Sequence, residues 1–80
     1  MKKFVYKYTE NNKEYWYYVD DIEGDLFVLD INDARMFSEK EIKLFDLDNV
    51  FSIGDEIFCL ETNTNIVLKS LPIKIELNLM

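Results

Sequence analysis

The chain has 80 residues and a net charge of −7, and 49% of its residues are hydrophobic and 15% aromatic. A chain of this length forms one domain, so we expect a single domain over residues 1–80. Its many bulky apolar side chains exclude intrinsic disorder. The negative charge argues against direct binding of nucleic acid, because phosphate backbones would be repelled.

The location in the cell is predicted from two further features. The one cysteine, Cys59, cannot form an internal disulfide, which fits a reducing compartment. No apolar run approaches the roughly 20 residues of a membrane-spanning helix. We therefore expect a cytoplasmic protein that does not bind a membrane.

Residues 3–19 predict a β-hairpin that is rich in aromatic side chains. The loop at Asn11 and Asn12 suits a two-residue hairpin turn, because asparagine tolerates positive φ. This loop sets the register, and cross-strand aromatic pairs stabilise such a hairpin. The predicted pairs on one face are Tyr8 with Tyr15, Tyr6 with Tyr17, and Phe4 with Val19.

The next turn is expected at residues 21–25, with Gly24 in a left-handed position after a type I turn. This turn would place Leu29 opposite Tyr17 and Phe27 opposite Val19 in a third strand. One face of the three strands is then almost wholly apolar and should be core. Its members are Phe4, Tyr6, Tyr8, Tyr15, Tyr17, Val19, Phe27, Leu29 and Ile31. The other face is mixed and should be partly exposed, with Val5, Lys7, Trp16, Tyr18, Asp20, Leu26, Val28 and Asp30.

A short helix is predicted near residues 39–46. Ser38 can cap its N-terminus, and Glu41 completes a capping box three residues later. Phe37 and Ile42 have the spacing of a hydrophobic staple. The alternative for residues 42–47 is a strand, which would make the domain almost wholly β.

The C-terminal third predicts more strands. Residues 50–60 are predicted as a strand interrupted at 52–55, residues 61–65 as a turn, and residues 66–71 as the returning strand. Pro72 indicates a bulge or a sheet edge, and residues 73–80 alternate apolar and polar side chains up to Leu79 and Met80. The predicted fold is therefore a β-rich α+β domain. About six short antiparallel strands would form a small open barrel or two packed sheets, with one short helix near 39–46.

The sequence lacks the usual elements of catalysis and metal binding. There is no histidine, which removes the common general base and metal ligand. Cys59 lies between apolar residues and should be a small buried side chain. An EF-hand loop aligned on Gly24 would have Val19 at its first ligand position, which no calcium loop uses. We therefore expect no enzymatic activity, no cofactor and no metal.

The segment from Glu14 to Asp21 is the predicted binding site. Its four consecutive aromatic residues must point to both faces of a sheet, so one face needs a cover or a partner. An acidic stretch begins just beyond it. Residues 20–61 hold thirteen of the sixteen acidic residues, for a local charge of −10. The candidate binding residues are Trp16, Tyr18, Asp20, Asp21, Glu23 and Asp25.

These features predict a small acidic intracellular protein-binding module that docks a basic surface of another protein. Residue types with AT-rich codons number 37, against five with GC-rich codons, which suggests an AT-rich genome. This favours a phage or mobile-element inhibitor of a host protein, including one that mimics the charge of nucleic acid. Two alternatives stay open: a ligand-binding or regulatory accessory domain, and a structural protein that forms a homodimer through its exposed C-terminal strand.

Overall fold

The fold is built on one six-stranded sheet. A computed structural model describes residues 2–78 of the chain. The strands are β1 (Lys2–Glu10), β2 (Lys13–Asp20), β3 (Gly24–Val28), β4 (Glu56–Cys59), β5 (Thr64–Val67) and β6 (Ile73–Asn78). They lie in the order β5-β4-β3-β2-β1-β6. Helix α1 (Glu39–Leu44) and two 3₁₀ turns, Ile31–Asp33 and Leu47–Asn49, occupy the connection between β3 and β4.

The predicted β-rich fold with six strands and one short helix is confirmed. The sheet is single and open, and so differs from a barrel or two packed sheets. It is also mixed, because β3 and β4 run parallel while the other pairs are antiparallel. Parallel neighbours cannot be joined by a hairpin, which is why a long crossover containing α1 separates β3 from β4. The predicted alternation at Leu79 and Met80 lies outside the described residues.

The turn of the first hairpin is as predicted. Asn11 and Asn12 both have positive φ, 51° and 65°. Tyr8 lies opposite Tyr15, as the two-residue loop requires.

The far end of this hairpin differs from the prediction. The β1–β2 ladder runs from the turn only as far as the pair Lys7 and Trp16. Beyond it, residues 35–37, here called the inserted segment, bond to both strands. Phe4 and Phe37 exchange two backbone hydrogen bonds of 2.8 Å, and the Arg35 N–H donates to the Tyr17 carbonyl at 3.2 Å. The predicted pairing of Phe4 with Val19 is therefore wrong, because a distant segment satisfies that part of the backbone.

The register of β2 with β3 is shifted by two residues from the prediction. Gly24 has the predicted positive φ, 78°, but it pairs with Asp20, so the loop is shorter than expected. Tyr17 then lies opposite Phe27. A two-residue shift keeps each side chain on its predicted face. It also leaves Leu29 and Ile31 beyond the end of β3, where they are 41% and 43% exposed, so their prediction as core residues is wrong.

One side of the sheet, here called the inner face, carries the main core. The inserted segment, α1 and the second 3₁₀ turn cover one half of it. Residues from β4 and the end of β5 close the other half, where Tyr8 stacks on Phe27 with ring centroids 5.7 Å apart. Cys59 is fully buried there, as predicted. The buried residues of this face are Phe4, Tyr6, Tyr8, Tyr15, Tyr17, Phe27, Phe37, Ile42, Leu47, Ile57, Cys59 and Leu68.

The opposite side, here called the outer face, holds a smaller apolar cluster. Val5, Trp16 and Val28 are its buried members. Partly buried neighbours surround them: Tyr18, Ala34, Ile75 and Leu77. The outer face is therefore a second, thinner apolar layer that remains partly open to solvent.

The predicted capping box of α1 is present. The Ser38 hydroxyl accepts a hydrogen bond from the Glu41 N–H at 3.1 Å, and Glu41 Oε1 accepts one from the Ser38 N–H at 2.9 Å. Behind it, Phe37 and Ile42 are both buried in the inner core. The cap thus fixes where the chain leaves the inserted segment and enters the helix.

We predict that Ser38→Ala lowers the free energy of unfolding by about 0.5–2 kcal/mol, because it leaves the Glu41 N–H without its capping acceptor. Denaturant unfolding followed by circular dichroism measures this change. Ser52→Ala is the matched control, because the Ser52 contact uses its backbone N–H, which donates to Asp55. Equal midpoints for the two variants would contradict the role of the cap.

We predict that stability falls as the pH rises above about 10. Burial raises the pKa of the Tyr6, Tyr8, Tyr15 and Tyr17 phenols above the ordinary value of 10.0. The Tyr6 and Tyr17 hydroxyls donate hydrogen bonds to the carboxylates of Asp48 and Asp25, respectively, and these bonds raise the pKa of both phenols further. The folded state keeps protons that the unfolded chain releases, so this contribution is complete below the ordinary pKa and is lost above it.

Alkaline titration of tyrosinate absorbance, recorded together with circular dichroism, checks this pH dependence. We expect these four phenols to ionise only as the fold is lost. Reversible ionisation of all the tyrosines close to the ordinary value of 10.0, with the native circular dichroism retained, would contradict it.

A candidate protein-docking groove

A groove of about 470 Å³ lies on the outer face, between the end of β4 and the first 3₁₀ turn. We call it the acidic groove. Its floor is apolar and consists of Tyr18, Leu26, Val28 and Leu60. Its rim carries four carboxylates, from Asp20, Glu23, Asp33 and Glu61.

The floor is positioned by the central strands. Tyr18 lies opposite Leu26, and Val28 lies opposite Trp16, which places these side chains in one patch of the outer face. Leu60 follows β4, and its N–H donates to the Phe27 carbonyl at 3.2 Å, extending the parallel ladder by one bond. The parallel pairing of β3 and β4 thus brings Leu60 beside residues that precede it by more than thirty positions.

The rim is formed by three separate turns. In the β2–β3 loop, the Asp20 carboxylate accepts hydrogen bonds from the Ile22 and Glu23 N–H groups, at 2.7 and 3.2 Å. Asp33 lies in the first 3₁₀ turn, whose N-terminus is capped by Asp30. Glu61 lies in the turn after β4. Because each carboxylate is carried by a short ordered turn, the rim is held in place by local hydrogen bonds.

The charged residues that line the groove are all acidic. The apolar floor between them reduces the screening of their charges by solvent. Such a concave acidic surface concentrates cations and steers basic groups toward it. The arrangement is chemically suited to hold a cationic group on the rim and an apolar group on the floor.

The six residues predicted as the binding site divide among four places. Tyr18, Asp20 and Glu23 line the acidic groove. Trp16 is in the outer-face cluster and only 8% exposed, with the Lys7 ammonium 5.7 Å from its ring centroid. Trp16 therefore packs within the sheet.

The remaining two predicted residues lie away from the groove. Asp25 points to the inner face, where it accepts a hydrogen bond from the Tyr17 hydroxyl. Asp21 lines a different cavity. Three of the six predicted binding residues therefore line the groove and three lie elsewhere.

Five residues of the groove were not among the predicted binding residues: Leu26, Val28, Asp33, Leu60 and Glu61. Asp33 belongs to the crossover, and Leu60 and Glu61 follow a strand whose parallel pairing carries no local sequence signal. The only available hint was the excess of acids across residues 20–61.

A second cavity, here called the apolar pocket, has a volume of about 290 Å³. It lies beside the inserted segment and contains one basic group, Arg35, whose guanidinium is 3.5 Å from the Glu41 carboxylate. Its lining residues are Tyr17, Val19, Asp21, Arg35, Phe37, Phe45, Leu47 and Val50.

Within residues 2–78, no three or more His, Cys, Asp or Glu side chains are grouped so that they could hold a metal ion. In the same part of the chain, every helix is too short or too polar to cross a membrane.

Comparison with known proteins gives no relative. No family model matches the chain, and no curated protein and no solved structure matches it.

We predict that Trp16→Ala lowers the free energy of unfolding by roughly 3–5 kcal/mol, because it removes a buried aromatic side chain. Tyr18→Ala should cost clearly less, since Tyr18 is only half-buried at the groove. Denaturant unfolding of both variants measures the difference. Equal stability of Trp16→Ala and the unmodified protein would show that Trp16 is free to anchor a partner.

Proposed function

We propose that the protein is a binding module without catalytic activity, and that it docks a basic, amphipathic segment of another protein in the acidic groove. The observation that carries this proposal is the composition of the groove. An apolar floor is bounded by four carboxylates, and within residues 2–78 no basic side chain lines the site.

Floor and rim have different physical roles in this proposal. Leu26 and Val28 are already buried, so a partner gains affinity by covering the exposed parts of Tyr18 and Leu60, at about 25 cal/mol for each Å² removed from water. Half-buried Tyr18 is the aromatic anchor, because such residues contribute most when a partner completes their burial. The rim carboxylates speed the approach of a basic segment and exclude acidic ones.

The finer part of the proposal concerns the partner. The net charge of −10 over residues 20–61 supports a partner that itself binds nucleic acid, whose basic surface the protein would occupy by charge mimicry. Such a protein would act as an inhibitor in the cytoplasm of its host. A phage or mobile-element origin rests on residue usage alone and stays a prediction.

The apolar pocket supports the alternative function, a ligand-binding accessory domain. Its walls are mainly apolar and aromatic, and Arg35 and Asp21 supply polar groups for orientation. Its volume of about 290 Å³ is at the lower limit for a small-molecule site. A change in Arg35 amide resonance on addition of an aromatic carboxylate, without change at the groove, would favour this function.

The proposed function predicts selective binding of a cationic amphipathic peptide. The probe is a peptide of alternating Leu and Lys, with Leu–Glu and Ser–Lys peptides of equal length as controls. We expect the Leu–Lys peptide to shift the amide resonances of Tyr18, Leu26 and Leu60, and the control peptides to bind at least about tenfold more weakly. Raising the salt should lower its association rate, because the rim attraction is screened.

Charge reversal distinguishes attraction of the peptide by the rim carboxylates from attraction by the net charge of the protein. The single variant Glu61→Lys should weaken binding by about tenfold or more. The matched control is a single reversal at Glu39, an exposed acid on α1, which covers the inner face; it should change binding by less than about twofold. Equal losses in the two variants, with folding intact, would show that the peptide responds to net charge and would overturn the groove as the docking site.

A further inference from the structure

Strand β6 forms one edge of the sheet. Within residues 2–78, no strand pairs with its outer side. It has six residues, against four in the opposite edge strand β5. Ile73 on this edge is 62% exposed. A strand of this length with free backbone groups is a template for pairing with another strand.

The backbone direction along β6 follows from its neighbour. In β1, the N–H and C=O groups of Phe4 point away from β6, because they bond to Phe37. The backbone groups of the next residue, Val5, must point toward β6, where Val5 lies opposite Ile75. Successive residues alternate in direction, so the backbone groups of Lys74 and Glu76 point outward to the free edge.

We propose that this edge binds a second copy of the chain, with the two β6 strands antiparallel and Ile75 on the two-fold axis. In this register, Lys74 of each copy lies opposite Glu76 of the other. The two Ile75 side chains meet at the axis, and Ile73 of each copy meets Leu77 of the other. The two sheets then form one continuous sheet of twelve strands.

The hydrogen bonds of β6 select this register. Lys74 and Glu76 each donate an outward N–H and offer an outward C=O, so the two symmetric pairs make four backbone hydrogen bonds. At either end, Asn78 can donate to the carbonyl of Pro72 in the other copy. Pro72 has no N–H, and in this arrangement it only needs to accept.

The charges of β6 select the same register. Moving the axis by one residue in either direction would place Lys74 opposite Lys74, or Glu76 opposite Glu76. Like charges directly opposite each other destabilise a strand pair, whereas opposite charges stabilise it. Only the register centred on Ile75 pairs each lysine with a glutamate of the other copy.

The remaining charges permit this contact. Most of the acidic residues lie within 20–61, whereas residues 1–19 carry a net charge of +2 and residues 62–80 carry +1. One part of each of these two segments, β1 and β6, forms this edge. Most of the net negative charge is therefore carried by residues outside β1 and β6, which reduces the repulsion between two copies at this edge.

The outer face gains a continuous apolar strip in the dimer. Ile73, Ile75 and Leu77 share this face, where Ile75 and Leu77 pack against the Val5 and Trp16 cluster. A strand pair with one row of apolar side chains is smaller than a standard interface, so the dimer should be weak and reversible.

Sedimentation of the full chain over a concentration series, up to about 1 mM, tests the dimer. We expect reversible dimerisation. We expect Glu76→Lys to raise the dimer dissociation constant by at least about tenfold, because it places a lysine of one copy opposite a lysine of the other on both sides of the two-fold axis. Glu76 has one ion pair, at 4.0 Å from Lys2, so the monomer should remain folded.

Combining the two charge reversals in one chain tests the register. Lys74→Glu alone should also weaken the dimer, although it removes the Lys74 hydrogen bond to Asp48 at 3.1 Å, so its thermal unfolding is measured in parallel. The double swap Lys74→Glu, Glu76→Lys should restore the dissociation constant to within about threefold of the unmodified chain. Glu61→Lys, on the acidic groove, is the matched control and should leave the dimer unchanged.

Three results would overturn the proposal. The first is a chain that stays monomeric throughout the concentration series. The second is a folded double swap that does not restore association. The third is an equal loss with Glu61→Lys, which would show that copies associate through the groove. Because peptide binding at the groove is measured separately, failure of the dimer leaves the proposed function standing.

Discussion

The structure depends on one interaction, the entry of the inserted segment between β1 and β2. Two hydrogen bonds between Phe4 and Phe37, and one from Arg35 to the Tyr17 carbonyl, replace the ladder that the hairpin would otherwise make. They tie the middle of the β3–β4 crossover to the N-terminal strands. Because buried backbone groups must be paired, this tie determines where the rest of the crossover lies. The residues before the inserted segment pass over the outer face, and the residues after it enter α1 on the inner face.

The two faces acquire different roles as a result. The inner face is closed by α1 and the second 3₁₀ turn, and its tyrosines keep partners for their hydroxyls: Tyr6 with Asp48, and Tyr17 with Asp25. The outer face receives only the first 3₁₀ turn, which brings Asp33 to the rim of the acidic groove. One face thus holds most of the buried side chains, while the other carries the groove, where Leu60 is 45% exposed.

The proposed contacts use different parts of the sheet. The acidic groove lies over β2, β3 and the end of β4, whereas the dimer edge is β6, beyond β1. The charged residues that line the groove are acidic, whereas β6 carries one lysine and one glutamate. A dimer joined at β6 would therefore present two grooves on the same outer face of a continuous sheet. Linking two sites in this way strengthens binding to a partner that carries two basic segments.

The sequence by itself determined the features that depend on neighbouring residues. These include the positive φ at Asn11 and Asn12, the capping box at Ser38, and the face on which each residue of β1 to β3 lies, because turn chemistry and alternation are local. Tyr18, Asp20 and Glu23 were predicted as binding residues, and their place in the groove follows from the tertiary structure. The tertiary structure decided the inserted segment, the parallel β3–β4 pair and the remaining groove residues. Backbone pairing between distant segments uses the same N–H and C=O groups in every residue, so no side-chain pattern specifies it.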